Sequence, residues 1–299
     1  MKNCFVKYFL FGIIIPTAAF AQKPIVVEEV IKEMSKGMQS GFEVLVPEVT
    51  LREIKSDLSK YIRKGSRGKV EEKNGETFIT GAVNKNISPD LFTVYVKRLE
   101  VDDGVKLTAF FTADDTLFFT TSLNPDQGLA IKKYLKDFAV AQYRELVSSE
   151  LGLQQRKLQD MEMQFENLVK AKQKSERTIN ESKRTIELNK KEIVQNNFLD
   201  SLKAIEVLNQ RQAVYKIKNS GTEEEKLESK KLKSLESEKR KLEKEKETLE
   251  LEIDLLDNRI EDEQRAIENN LKLQEEKNKE IEKQKNKVAL TEEKLSKIV

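Results

Sequence analysis

Few residues of this chain carry the chemistry of common enzyme active sites. The sequence has no histidine and no tryptophan, and Cys4 is its single cysteine. Zinc and copper sites built on imidazole or thiolate ligands are therefore excluded for the chain beyond residue 21. Ser–His–Asp triads and Cys–His pairs are excluded for the same reason.

Carboxylates are plentiful, but their setting does not favour catalysis. The glutamate runs at residues 223–225 and 275–276 lie in strongly helical sequence, and an exposed helix face offers no cleft that shifts a pKa. The aspartate pairs at residues 102–103 and 114–115 lack the ligand spacing of an EF-hand, so we interpret them as turn residues. The sequence has no G-x-x-x-x-G-K-[ST] phosphate loop. We expect no enzyme, no cofactor and no bound metal; as the alternative, an enzymatic activity would have to lie in the N-terminal region.

One group of cations is clustered. It spans a predicted helix end and the next predicted strand, and consists of Lys60, Arg63, Lys64, Arg67 and Lys69. Cations are common at helix C-termini because they offset the helix dipole. We keep the cluster as a candidate contact for an anion or a membrane surface. Over the whole chain 54 basic and 52 acidic residues are intermixed, so nucleic-acid binding is not expected.

The first residues have the layout of a secretory signal. Lys2 and Lys7 precede an apolar run at residues 9–15, and Ala19-Phe20-Ala21 is a small-x-small cleavage site. The apolar run is shorter than the about 20 residues that span a bilayer. We expect cleavage after Ala21 and export to the periplasm or the medium; an uncleaved anchor is the alternative.

The composition changes near residue 124. All five prolines lie at or before Pro125, and the 174 residues that follow are rich in Glu, Lys and Leu. We therefore divide the chain into a signal peptide at residues 1–21, an α+β head at 22–123 and a helical tail at 124–299.

The head is predicted to be a β-meander with one helix. Thr50 and Glu53 form a capping box that begins a helix extending to about Lys64. Asn74-Gly75 suits a two-residue hairpin turn, and residues 102–104 indicate a second hairpin. Residues 117–121 are predicted to form the last strand.

The tail is predicted to contain two helical arms. Asn124 caps the first arm and Pro125 opens it, whereas a second capping box at Thr222 restarts helix after a break. The arms cover about 124–218 and 223–298, with the tip at 219–222. In the first arm a seven-residue grid contains Ile179, Ile186, Ile193, Asp200, Val207 and Val214.

The second arm carries a heptad seam, which is typical of a coiled coil. Its apolar members are Leu235, Leu242, Leu249, Ile253, Leu256, Ile260, Ile267, Ile281, Val288 and Leu295. Its polar members are Lys239, Lys246, Glu263, Asn270, Gln274, Lys277 and Gln284. The matched arm lengths favour an antiparallel hairpin; a parallel dimer and isolated solvated helices are the alternatives.

The whole chain beyond the signal resembles a group of uncharacterised exported proteins of Bacteroidota. The resemblance rests on Met34-Ser-Lys-Gly37, on the segment from Gly41 to Pro47, on residues 64–73 and on the Lys/Glu-rich tail. It implies a location in the cell envelope and no known activity.

These observations predict a non-enzymatic, exported coiled-coil scaffold or interaction protein. Its partners are expected to be proteins, and both self-association and membrane-surface contact stay open. The alternatives are a periplasmic holdase chaperone with helical tentacles and an adaptor of an envelope transport complex. Skp-type holdases place their hairpin between strands, and efflux adaptors place theirs within a biotin-carrier-like domain, whereas this hairpin is C-terminal.

Overall fold

The computed structural model describes residues 24–219 and 221–299. These residues form two compact units, the first comprising residues 24–155 with 286–299 and the second residues 156–285. The predicted signal peptide and Ser220 of the predicted tip lie outside the described residues.

The head contains one six-stranded antiparallel sheet with the order β1-β2-β6-β5-β4-β3. Its strands are β1 (Val27–Met34), β2 (Gly37–Pro47), β3 (Val70–Lys73), β4 (Glu76–Ala82), β5 (Phe92–Val101) and β6 (Gly104–Thr112). Strands β3 to β6 form the predicted meander, and the hairpin of β1 and β2 joins it through pairing of β2 with β6.

The turn signals of the head act as predicted, with one exception. Asn74 and Gly75 both have positive φ, as a two-residue hairpin requires, and Val101 pairs with Gly104 across the second turn. The strand predicted at residues 117–121 is wrong. This segment makes one isolated bridge, between Thr112 and Phe118. Thr112 and Asp114 bond to the backbone around it and hold a compact turn instead.

Helix α1 (Leu51–Arg63) connects β2 to β3 and covers the inner face of the sheet. The predicted capping box is complete, with the Thr50 hydroxyl accepting from the Glu53 amide and the Glu53 carboxylate accepting from the Thr50 amide. Ile54, Leu58 and Ile62 lie on one side of the helix and are buried. They pack into a core formed by the inward-facing residues of the sheet.

The two tail helices are α2 (Pro125–Lys216) and α3 (Glu223–Ser296). The Asn124 side chain accepts from the Gln127 amide, so it caps α2 as predicted. The first turns of α2 and the end of the chain belong to the core of the head. The residues concerned are Ile131, Leu135, Phe138, Ala139, Tyr143, Val147 and Ile298. The compact first unit therefore extends beyond the predicted head into both arms.

Reciprocal hydrogen bonds join α1 to α2. The Tyr61 hydroxyl donates to the Tyr134 carbonyl at 2.9 Å, and the Tyr134 hydroxyl donates to the Tyr61 carbonyl at 3.2 Å. The two rings lie 4.6 Å apart, and Phe138 packs on Tyr61 at 4.8 Å. Burial, with a smaller contribution from Asp137, raises the pKa of Tyr61 to about 12, so its hydroxyl stays a donor at neutral pH.

Glu48, directly after β2, holds both tail helices. It accepts from the Tyr143 hydroxyl of α2 at 2.9 Å and from the Lys294 ammonium of α3 at 2.6 Å. The Arg144 guanidinium of α2 donates to the Ile298 carbonyl at 2.7 Å. The end of the chain thus returns to the region of Tyr143, as an antiparallel hairpin requires.

The second unit consists of α2 and α3 residues in antiparallel pairing. Lys203 contacts Glu238, whereas Arg211, further along α2, contacts Glu236, earlier on α3. Ile179 and Ile186 of α2 pack with Ile260 of α3. These contacts confirm the predicted antiparallel hairpin.

We expect Phe138→Ala to destabilise the head by about 3–5 kcal/mol, because it leaves a cavity in the shared core. Urea unfolding followed by the near-ultraviolet circular dichroism of the tyrosines measures this change. Leu129→Ala is the matched control, since Leu129 lies on the same helix and is 60% exposed. Equal effects of the two substitutions would contradict the packing of α2 into the head.

Candidate functional site

All ten apolar seam residues predicted on α3 are buried or half-buried. Ile260, Ile281 and Val288 are the most enclosed of them. The polar seam positions Lys239, Lys246, Glu263, Asn270, Gln274 and Lys277 are half-buried, and Gln284 is buried. The 4-3 spacing therefore describes the face of α3 that contacts α2.

The opposing face of α2 is more polar than the sequence analysis recognised. Ile179, Ile186 and Val207 are buried as the seven-residue grid predicts. Between them lies a second buried line, formed by Ser182, Asn189 and Asn196. Among the described residues, the side-chain nitrogens of both asparagines have no hydrogen-bond partner. Such a buried amide lowers stability, while polar seam positions restrict the register of a coiled coil.

Charged pairs cross the seam in the distal part of the second unit. Lys203 lies 3.0 Å from Glu238, and Arg211 lies 2.7 Å from Glu236. Asp200 Oδ1 lies 3.4 Å from Lys239 Nζ, close enough for an ion pair but without hydrogen-bond geometry. These pairs are partly exposed, so each adds little to stability; their value is in selecting one antiparallel register.

Helix α2 also carries a second apolar stripe, on the face directed away from α3. We call it the α2 outer stripe and define it as Val194, Phe198, Ser201, Ile205, Leu208, Gln212 and Tyr215. Successive members are four and three residues apart alternately, which is the spacing of a heptad seam. Its five apolar members are 57–78% exposed. Leu202, beside the stripe, is also exposed.

The flanks of the α2 outer stripe carry little charge. Between Val194 and Gln210 the charged residues are Asp200, Lys203 and Glu206. Asp200 and Lys203 are directed to partners on α3, and Glu206 binds Lys203 at 2.7 Å. Near the end of the stripe, Leu208, Gln212 and Tyr215 line a shallow groove together with Arg211 and Lys216. In a chain that is 35% charged, an apolar stripe of this length with few charged neighbours is a candidate binding face.

The predicted basic cluster lies at the end of α1 and in the loop before β3. Lys60, Arg63, Lys64, Arg67 and Lys69 are all exposed. Lys60 binds Asp57 at 2.8 Å. Within the described part of the chain, the other four side chains make no ion pair. The structure therefore places the five cations at one edge of the head, on a short stretch of chain.

The carboxylates of the head have structural partners. Burial opposes the ionised form of Glu43, but hydrogen bonds from Lys32 and Thr108 and the charge of Lys106 outweigh burial and lower its pKa. Glu76 is 2% exposed and accepts from the Ser35 amide and hydroxyl at 2.8 and 2.6 Å. Glu43 thus holds β1, β2 and β6 together, and Glu76 anchors the turn between β1 and β2.

The aspartate pairs of the head are engaged in turns, as the sequence analysis interprets them. Asp114 accepts from Thr116 and Leu117, and these bonds lower its pKa. Asp115 accepts from the Tyr95 hydroxyl at 2.9 Å. Across the described residues, no group of three or more acidic, histidine or cysteine side chains could hold a metal ion.

The α2 outer stripe is the feature that sequence reasoning missed. Its 4-3 spacing from Val194 to Tyr215 is visible in the sequence, but the same helix carries the grid of Ile179 and Ile186. A sequence signal could have distinguished the two stripes. Ser182, Asn189 and Asn196 make the inner seam of α2 more polar just before and at the point where the α2 outer stripe begins.

The sequence matches no family model and no curated protein. Among solved structures, the Smc head domain with a coiled coil and joint from Pyrococcus yayanosii is similar to this chain, with 17% sequence identity and a TM-score of 0.31. The match covers 92% of this chain and 69% of that chain. A likeness this distant carries no argument about function. In the described ranges, no helix has the length and hydropathy needed to cross a membrane.

We expect Asn196→Leu to stabilise the hairpin by about 1–3 kcal/mol, because it removes a buried amide nitrogen that lacks a partner. Thermal unfolding followed by circular dichroism at 222 nm measures the change. Asn197→Leu is the matched control, since Asn197 is the next residue and is exposed. An equal gain from both variants would contradict the assignment of Asn196 to the seam.

We expect Glu43→Gln to lower the free energy of unfolding of the head at neutral pH. The variant should also lose less stability than wild type when the pH is lowered. The pKa of Glu43 is below its ordinary value of 4.5 in the folded protein, so its stabilisation is present above 4.5 and is lost as the pH falls through the folded pKa. Urea unfolding between neutral pH and about pH 3 tests this. Glu33→Gln, at an exposed site on β1, is the control; the same pH profile for Glu43→Gln and wild type would refute the assignment.

Proposed function

We propose that this chain is a non-enzymatic, exported coiled-coil scaffold that binds protein through its helical hairpin. The observation that carries the proposal is the α2 outer stripe, an exposed apolar heptad repeat on a helix whose opposite face is already paired. Contiguous exposed apolar surface on a folded protein is a mark of an interaction site.

The spacing of the stripe supports a helical partner. A 3.5-residue repeat over three heptads keeps one line of side chains facing a second helix, whereas an extended peptide or a lipid surface needs no such repeat. The stripe combines Phe198 and Tyr215 with aliphatic residues, and aromatic side chains are enriched where protein interfaces are strongest.

The head supplies a second surface in this proposal. The basic cluster, at Lys60, Arg63, Lys64, Arg67 and Lys69, is proposed to contact an anionic membrane surface or another anion. Four of these cations lack an ion-pair partner in the described residues, so a docking anion would not first have to displace an acid. Location in the cell envelope and the likeness to exported Bacteroidota proteins remain part of the proposal.

We expect a photo-reactive benzophenone residue in place of Leu208 to cross-link the full chain to a discrete protein in the cells that make it. Leu208 is 57% exposed in the centre of the stripe, so a bound helix would lie against it. The same residue in place of Leu255 is the control, because Leu255 is 70% exposed on α3 and lies off the stripe. Denaturing gels and mass spectrometry identify the products.

Three other outcomes have definite meanings. Equal products from both positions, or none from position 208, would refute a specific binding face. A broad smear of many cross-linked proteins at position 208 would favour the holdase alternative. In that case the purified chain should also suppress aggregation of unfolded outer-membrane proteins at a near-stoichiometric ratio.

A further inference from the structure

The α2 outer stripe is complementary to itself when two helices run antiparallel. Aligned about the midpoint of Glu206 and Val207, two copies of α2 place Phe198 opposite Tyr215, Ser201 opposite Gln212 and Ile205 opposite Leu208. Each of these three residue pairs occurs twice in the dimer, once on either side of the two-fold axis, as the symmetry of a homodimer requires. Aromatic residues meet aromatic ones, polar residues meet polar ones, and the aliphatic layers lie in the centre.

We infer that the α2 outer stripe binds the same stripe of a second copy of this chain, with the two helices antiparallel. The inference rests on the proposed function, because it names the occupant of the same surface. The pairing joins the outer faces of two hairpins and leaves the α2–α3 seam of each one unchanged.

Charge at the flanking positions favours the antiparallel arrangement. In a parallel pair, Arg211 of each copy would lie beside Lys216 of the other, which repeats a like-charge contact twice. In the antiparallel pair, Ala204 lies near Arg211, Leu202 lies near Asn209, and Lys216 lies near Gln195. No like charges meet, and the apolar Leu202 gains a neighbour. Arg211 also keeps its contact with Glu236 at 2.7 Å.

The size of the stripe sets the expected strength of the dimer. The paired part of the stripe, from Phe198 to Tyr215, is about 26 Å long at 1.5 Å per residue. Val194 lies beyond it, because the position opposite Val194 is Asn219, after the end of α2. An interface formed by one helix face on another is small for a specific protein interface, and small interfaces are often reversible. We therefore expect a dimer that forms and dissociates with concentration in the micromolar range.

The first test measures the mass of the full chain by sedimentation velocity from about 1 to about 200 µM. We expect the mass to rise from monomer to dimer for wild type and to stay monomeric for Ile205→Glu/Leu208→Glu. Leu255→Glu, an exposed change on α3, is the control and should dimerise like wild type. Circular dichroism checks that helix content is unchanged, because all three positions are exposed.

The second test determines the direction of the helices by disulfide formation. Cys4→Ser removes the one native thiol, and Ser201→Cys and Gln212→Cys are then introduced in separate chains. Antiparallel pairing predicts a disulfide when the two variants are mixed and little with either alone. In the antiparallel pair the two copies of either cysteine are about 16 Å apart along the helix axis at 1.5 Å per residue, too far for a disulfide between identical variants.

Each result decides the inference. A disulfide formed by the Ser201→Cys variant alone overturns the antiparallel direction. A chain that stays monomeric at every concentration tested overturns the inference that a second copy binds the stripe. A monomer that still cross-links from position 208 to a different protein in cells leaves the proposed function standing. A monomer with no cross-link from position 208 overturns both.

Discussion

Two long charged helices pack together along the stripe of side chains that each buries against the other. The exposed positions of α3 are mostly Glu and Lys, with scattered leucines such as Leu255, and the face that it buries is its seam, from Leu235 to Leu295. Isolated helices gain too little from local interactions to be stable by propensity alone. The position of that seam therefore decides which charges pair across the hairpin and which face of α2 is left for other contacts.

The two faces of α2 change character in the same stretch of sequence. Where Asn189 and Asn196 make the inner seam polar, Val194 and Phe198 begin the apolar outer stripe. The inner seam loses hydrophobic contact there but keeps a single register through pairs such as Lys203 with Glu238. A partner bound to the α2 outer stripe would restore apolar burial to this part of the helix. The polar inner seam and the apolar outer stripe would then have the same physical explanation.

The residues of the head that could have done chemistry are used to hold the sheet and the helices together. Glu43 and Glu76 accept hydrogen bonds from neighbouring strands and turns, and Glu48 binds both Tyr143 and Lys294. Tyr61 and Tyr134 exchange hydrogen bonds with each other's backbone. Such groups are worth most to stability when each has its partner, because an unsatisfied buried polar group is costly.

Local features of this protein followed from the sequence because their residues are close along the chain. The capping box of Thr50, the turn at Asn74-Gly75 and the heptad seam of α3 each depend on residues no more than a few positions apart. The pairing of β2 with β6 and the burial of Phe138 in the head could not be predicted in this way, because they join segments far apart in sequence. The buried grid of Ile179 and Ile186 was also predicted from its spacing, but the outer stripe that begins at Val194 and Phe198 was not. Both have the spacing of a seam, and tertiary structure decided that the outer one stays exposed, because α3 packs on the other face of α2.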